Sequence, residues 1–444
     1  MKTDIEETER IRGDGSREEQ PIDPKDRPFD PFRTAKADCL RSMVEDVTNQ
    51  IQDYEDYFDV RKRSRKAADQ AIFEQTIEAV ICDVAYQYLF DSSQEIFVSL
   101  SHRHLGRRSR YRAPALGKKL PAILEFLSAP EMAFVEMTKG ERVEVWSDDV
   151  GIAFKGKRTT LSAGKRLITR IKQHGIDLSD FGRSECEEVI VLKAPKKGPK
   201  SGGQRLEYKD TKLTNRYREE MKTLNRWLSD ADIRVFNNDV DPDDRRIRRH
   251  FNNGRFDQGG RLFGGFWLAM KPHRRLEEIQ INQKPVVELD FGQMSLRLLY
   301  GKVGAALPEG DLYRVGGLEA YRDGVKKIIN SALYFDKTQS RMPQGSRKHF
   351  PDTIEYGHVL SAIKSHHRPV SDYFFSGVGM ELMFLESEVL VAVLLDLIEK
   401  DVTALPIHDA ILVSCENAGA AEQTMLGIFK DKTGVEGKVS MKRA

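Results

Sequence analysis

The sequence predicts an α+β fold in two parts, and three observations support this. Short apolar runs that break at an aspartate, Pro285 to Phe291 and Leu405 to Val413, mark strands in the C-terminal half. Segments with helical spacing accompany them, including the late stretch Met380 to Lys400. A stretch rich in Pro, Gly, Lys and Ser, Pro195 to Gly203, is the clearest linker, and it separates that half from a mostly helical N-terminal region with a small α+β module.

Residues 1–35 are rich in Glu, Asp, Arg and Pro with no aromatic before Phe29, the composition of a disordered tail. An accessory region follows over 36–194. Its first part has helical periodicity, as in Phe73, Ile77, Val80, Ile81 and Val84. Beyond Leu120 a helix, Leu161 to His174, mixes with strands at Ala133 to Met137 and Glu188 to Leu192, a pattern that fits a winged-helix type of module or a structural spacer. After the linker at 195–205, a polar helix from Thr211 to Leu228 opens a core that spans 206–444.

Asp290 and Asp409 stand where those apolar strands break. A lone aspartate in that position is most often a turn former or a helix cap. Two of them, with a cationic helix between, read as a two-metal phosphoryl-transfer site. Nucleotide addition needs two divalent cations, one activating the attacking hydroxyl and one bridging the leaving phosphates. Hard oxygen ligands on rigid strand ends supply them. Within Tyr321 to Tyr334, residues Arg322, Lys326, Asn330 and Tyr334 recur at every fourth position and share one helix face. That face suits a nucleoside triphosphate, with Arg322 and Lys326 on phosphate oxygens and Tyr334 near the base or sugar. A solvated basic face is the plainer alternative.

In order, spacing and local identity these three segments resemble motifs A, B and C of DNA polymerase I-like (family A) enzymes and their relatives, the phage-type single-subunit RNA polymerases. The resemblance covers roughly residues 250 to 444 and implies a right-hand polymerase of palm, fingers and reduced thumb. It also implies that Asp290 and Asp409 hold two magnesium ions, with manganese as an alternative and the Phe291 carbonyl as a further ligand. Lys326 would also protonate the leaving pyrophosphate, and His408 would lie by the primer terminus, with Gln293 of motif A also on the nucleic acid. Asn253-Gly254-Arg255 and Gly260-Arg261 resemble the family's Gly-Arg element, which implies that Arg255 and Arg261 touch the duplex. Gly310-Asp311-Leu312-Tyr313 resembles the stretch ahead of motif B.

Three departures separate this chain from the DNA polymerases. Ser295 stands where they carry the glutamate that excludes a ribose 2′-hydroxyl, and serine leaves room for that hydroxyl and can hydrogen-bond it. Asn330 replaces their sugar-sensing aromatic, and Ala410 follows His408-Asp409 in place of glutamate. All three point toward the RNA polymerase branch, hence to an enzyme that accepts ribonucleotides, an RNA polymerase or primase-like. A DNA polymerase for gap filling or mobile-element replication stays open, as does a non-catalytic nucleic-acid-binding replication protein on a decayed core. The intervals from Asp290 to Arg322 and from Lys326 to Asp409 are short for the family, which implies trimmed fingers and low processivity.

The 444-residue chain is 39% hydrophobic and 32% charged, a globular composition, and its net charge of +2 means that any charge for binding nucleic acid is local. It clusters at Arg103, Arg107, Arg108, Arg110 and Arg112; at Lys193, Lys196, Lys197 and Lys200; and at Arg245, Arg246, Arg248, Arg249 and His250. The first could track a phosphate backbone, and the third is expected to meet duplex phosphates. Four scattered cysteines, with no Cys-x-x-Cys, indicate reduced thiols and no zinc ribbon. No signal peptide is expected from the polar, charged residues after Met1, and the apolar run Val389 to Leu395 falls well short of the ~20 residues that span a bilayer. A cytoplasmic protein is expected. Its expected partners are a DNA template with primer or nascent strand, nucleoside triphosphates and an accessory replication protein, without a membrane.

Overall fold

The structure, a computed structural model, describes residues 26–147, 151–156, 158–196, 198, 203–236 and 240–444. Two compact units divide the chain between Glu188 and Val189.

In the first unit, helices Asp38–Tyr57 and Ala67–Asp91 pack their apolar faces together. Leu40, Met43, Val47 and Ile51 meet Phe73, Ile77, Val80, Ile81 and Val84 in one buried cluster, as the helical periodicity predicts. A four-stranded sheet runs in the order Arg27–Pro28, Ile96–Val98, Thr159–Ala163, Val135–Thr138. Residues 26–35 of the disordered tail expected over 1–35 are instead part of this unit, and residues 1–25 lie outside the described residues. Residues 26–35 are held because the fully buried carboxylate of Asp83 needs cations, and Arg27 (2.9 Å) and Arg33 (3.1 Å) supply them. The helix expected from Leu161 is shorter, Lys165–His174. Thr159–Ala163 is a central strand, and Gly164 breaks it where the chain comes so close to Ala133 that a Cβ would sit 2.3 Å from its carbonyl oxygen.

The second unit begins ahead of the linker. Strand Ile190–Leu192 pairs in parallel with Ile247–Phe251, which in turn pairs with Gly259–Gly264, so residues 189–194 belong to this unit and not to the accessory region. A larger sheet runs Ile233–Val235, Ile279–Ile281, Lys284–Phe291, Ala410–Ser414, Ala404–Ile407. Strand Val439–Lys442 lies along the end of Lys284–Phe291. The polar helix near 211 is observed as Lys212–Asp230, capped by Thr211, whose hydroxyl takes the Thr214 N–H. Helix Gly379–Glu399 packs on strand Gly259–Gly264 and on helices Lys212–Asp230, Met294–Val303 and Ala418–Thr433. Covered on several sides, it buries Leu382, Val389, Leu390, Val393, Leu394 and Leu397. Among the described residues no helix is long and apolar enough to cross a membrane.

Candidate active site

Strand Lys284–Phe291 is apolar along Val286, Val287 and Leu289, and its pairing register carries Asp290 to the sheet rim beside Ala410. On the other side of that register, Ile407 pairs with Ala410 and leaves His408 and Asp409 as the two-residue tip of a hairpin. His408 adopts φ 56°, unusual for a residue with a side chain, and such strain tends to sit where a side chain must be presented. The Phe291 N–H reaches the Asp409 carbonyl at 3.3 Å. Residues far apart in sequence are thus adjacent, and the two aspartates feel one another. Burial, followed by the Asp409 charge, pushes the Asp290 carboxyl above its usual range, while Lys442 pulls the other way.

Lys442 is a site residue that the sequence reading missed. Its ammonium lies 2.7 Å from Glu288 and 3.2 Å from Asp290. The antiparallel pairing of Val439–Lys442 with Glu288–Phe291 puts it there. The alternation of Val439, Ser440, Met441 and Lys442 was the available signal.

Helix Arg322–Tyr334 turns Val325, Ile328, Ile329, Ala332 and Leu333 into the core. Arg322 and Asn330 are left half-buried, and Lys326 and Tyr334 exposed, along the opposite face. Arg322 pairs with Asp311 at 2.6 Å, and both Arg322 and Lys326 approach the Tyr313 ring, at 5.5 and 5.9 Å from its centroid. Burial works to raise the Asp311 carboxyl, but the Arg322 guanidinium and the Tyr313 N–H outweigh it and hold the group low. Asp311 also accepts from Gln293 (2.7 Å), whose own amide oxygen takes Arg297 at 3.1 Å. Gln293 is therefore buried in a bracing chain rather than turned outward to nucleic acid. Tyr313 is pushed up to about 12 by burial, and the Asp409 charge acts in the same direction, so the helix face and the aspartate pair share one electrostatic neighbourhood.

Arg261 closes the arrangement. It grips Glu386 at 2.6 and 3.2 Å, and its charge reaches both Tyr334 and Asp409. Glu386, only 2% exposed, was another residue that sequence reasoning did not single out. The Tyr334 ring lies where a Cβ on Gly379 would come within 2.6 Å, so that glycine fixes the ring's position. The His408 ring packs edge-on to Phe263 at 6.4 Å; the crowding around it, and then Arg261, lower its pKa although solvent reaches it. Ser295 sits half-buried in the first turn of helix Met294–Val303.

Arg255 is exposed, with Asp257 at 2.6 Å. One of the expected nucleic-acid contacts meets a different placement. The third basic run is largely inward: Arg249 is fully buried between Glu220 and Glu388, and Arg245 spends its guanidinium on the carbonyls of Pro242, Leu228, Ala231 and Ile233. Alternation along strand Ile247–Phe251 sends Arg249 into the core, where a charge must be paired.

No family model matches the sequence, and no curated protein matches it. Among solved structures, the POL domain of Pol1 from M. smegmatis, in complex with DNA primer-template and dNTP, is similar at 12% identity with a TM-score of 0.26, over 92% of this chain and 66% of that one. The present chain thus spans just under two thirds of that domain's length, and a similarity this slight carries no inference.

A divalent cation fits the aspartate pair by donor chemistry. Two hard carboxylates stand together, and the Asp290 carboxyl is raised first by burial and then by the Asp409 charge, a pairing that a cation would relieve. Among the described residues no group of three or more His, Cys, Asp or Glu is placed to hold a metal, so ligands beyond Asp290 and Asp409 must come from backbone, water or substrate phosphates.

Proposed function

We propose that this chain is a template-directed nucleotidyltransferase that adds nucleotides to a 3′-hydroxyl, with ribonucleotides among its substrates. One observation supports the reading: a hairpin tip and a strand end bring Asp290 and Asp409 together, and Tyr313, which feels the Asp409 charge, also has Arg322 and Lys326 of the next helix near its ring.

Asp290 and Asp409, with the Phe291 carbonyl, would hold magnesium. The metal, when bound, supplies charge for the attacking oxygen and the leaving phosphates. Arg322 and Lys326 would bind the triphosphate, and the Lys326 ammonium would donate the proton taken up by the leaving pyrophosphate. Asp311 and Tyr313 steady Arg322 so that its fork meets phosphate in one orientation. Tyr334, seated on Gly379, places the nascent base pair by stacking. Ser295, in place of a bulky acid, would leave room for a 2′-hydroxyl, and Arg261 and His408, which share the Asp409 neighbourhood, would contact the primer end.

Extension of a labelled primer on a DNA template with magnesium, with ribo- or deoxyribonucleotides, tests the proposal, with Asp409→Ala as control. Ribonucleotide addition that disappears in the variant is the expected result. Deoxyribonucleotide-only extension would leave the chemistry standing and overturn the sugar assignment. Wild-type activity in Asp409→Ala would sink the site.

A further inference from the structure

The first unit joins two basic stretches that are far apart in sequence. Arg61, Lys62, Arg63 and Lys66 are exposed on the connection between helices Asp38–Tyr57 and Ala67–Asp91. Asp69, in the first turn of the second helix, pairs with Lys119 at 2.7 Å, and its carboxyl is held low by Lys119 and more weakly by Lys66 and Arg61. The neighbouring Lys118 lies beside Gly106, its Cε 3.4 Å from where a Cβ would stand. Arg112 gathers the same loop by donating to the carbonyls of His104, Arg107 and Leu116, which leaves Arg103, Arg107 and Arg108 exposed. Asp69 and Lys119, with Lys118 beside Gly106, thus link the two basic stretches within this unit.

Aromatic rings border the first stretch. Tyr57 is 83% exposed and Phe58 54%, although large apolar side chains are ordinarily covered. Phe58 packs on Tyr54 at 4.6 Å and Tyr57 on Phe58 at 5.0 Å, so the rings are propped outward by one another. Asp56 and Asp59 share this loop, and Asp53 and Glu131 line the hollow beside the rings together with Arg166, so the excess of cations lies on the Arg61 to Lys66 side. Arg65 is excluded from the face, since it is bound to Glu55 and lies over Phe73.

Cations that follow a backbone, beside rings that offer flat surfaces, are what an unpaired nucleic-acid strand needs; a duplex hides its base faces and could use only the cations. We propose that this face binds single-stranded nucleic acid, its phosphates along Arg61 to Arg63 and Arg107 to Arg108 and its bases on Tyr57 and Phe58. The binding is separate from nucleotide addition by the second unit, and it is measured without metal or nucleotide.

Fluorescence anisotropy of the full chain with labelled oligo(dT), and with a duplex of equal phosphate number, provides the test. Two variants are compared at matched melting temperature: one with Lys62, Arg63, Arg107 and Arg108 each changed to Gln, and one with Tyr57→Ala and Phe58→Ala. The charge variant should weaken oligo(dT) binding and reduce its salt slope by about 0.7 for each phosphate that is no longer neutralised. The aromatic variant should weaken oligo(dT) binding by about tenfold and leave duplex binding unchanged. Unchanged oligo(dT) affinity in both variants would overturn the proposal, as would equal weakening for strand and duplex in the aromatic variant. Tighter binding to phosphatidylserine vesicles, abolished by the same substitutions, would reassign the face to a membrane surface.

Discussion

At the scale of single residues, the site is a balance of like and opposite charges. Asp290 is pushed up by burial and by Asp409 and restrained by Lys442, so ionisation is less favourable in the fold than in the unfolded chain. The sign follows: a folded-state pKa above the unfolded value means that stability falls as pH rises through that window, and a neutral isostere escapes the loss. Asp290→Asn should therefore cost nucleotide addition ~10³-fold or more while leaving the melting temperature at neutral pH unchanged or raised. Steady-state incorporation and calorimetry would read both, and a clearly lowered melting temperature would contradict the repulsion. Lys442→Met should shift the Asp290 titration further upward, followed by carboxyl carbon NMR; an unmoved titration would mean that the 3.2 Å ion pair is electrostatically idle. Gly379→Ala tests whether Tyr334 is positioned by its seat. The added methyl would press on the ring, and nucleotide KM should rise severalfold at near-normal stability.

At the scale of elements, the helices that carry the site are clamped by buried polar contacts. His367, fully buried, has its Nδ1 2.9 Å from the Tyr300 hydroxyl and its Nε2 2.9 Å from the Leu312 carbonyl, which ties helix Met294–Val303 to the stretch holding Asp311 and Tyr313. Burial, with His366 adding to it, lowers His367 to about 4 from 6.5, so the fold accommodates the neutral ring. The unfolded chain takes up a proton first as pH falls. The stability is therefore fully present above pH 6.5 and lost toward pH 4, by up to about 3 kcal/mol. Denaturant melts of the wild type and of His367→Gln across that range should show a flatter pH dependence in the variant, from a lower starting stability. Parallel curves would place the titration elsewhere. The Trp267 indole N–H donates to the Pro406 carbonyl at 2.8 Å and moors the hairpin strand that leads to Asp409.

At the scale of the whole molecule, a net charge of +2 cannot by itself hold a polyanion, and much of the basic run 245–250 is spent inside the fold. On the proposed function, retention of nucleic acid by the second unit would have to draw on surface cations other than this run. Processivity should be low and should fall steeply with salt, because each phosphate neutralised contributes about 0.7 to 0.9 to the slope of log affinity against log salt. Product-length distributions with a trap strand at rising salt would measure this, and long products at physiological salt without a partner would contradict it.

The sequence by itself determined what depends on local periodicity and on motif chemistry. Helix Arg322–Tyr334 and its outward face, the apolar strands ending at Asp290 and Asp409, and the late helix were legible because spacing of 3.6 or 2 states directly which side is buried. Tertiary structure alone decided what depends on pairing between distant segments. It placed strand Ile190–Leu192 in the second unit, turned Arg249 inward and Gln293 onto Asp311, and brought Lys442 to Asp290 from the far end of the chain. A charged residue reads the same in sequence whether it faces water, phosphate or a buried carboxylate, and only the register of the strand that carries it settles which partner it meets.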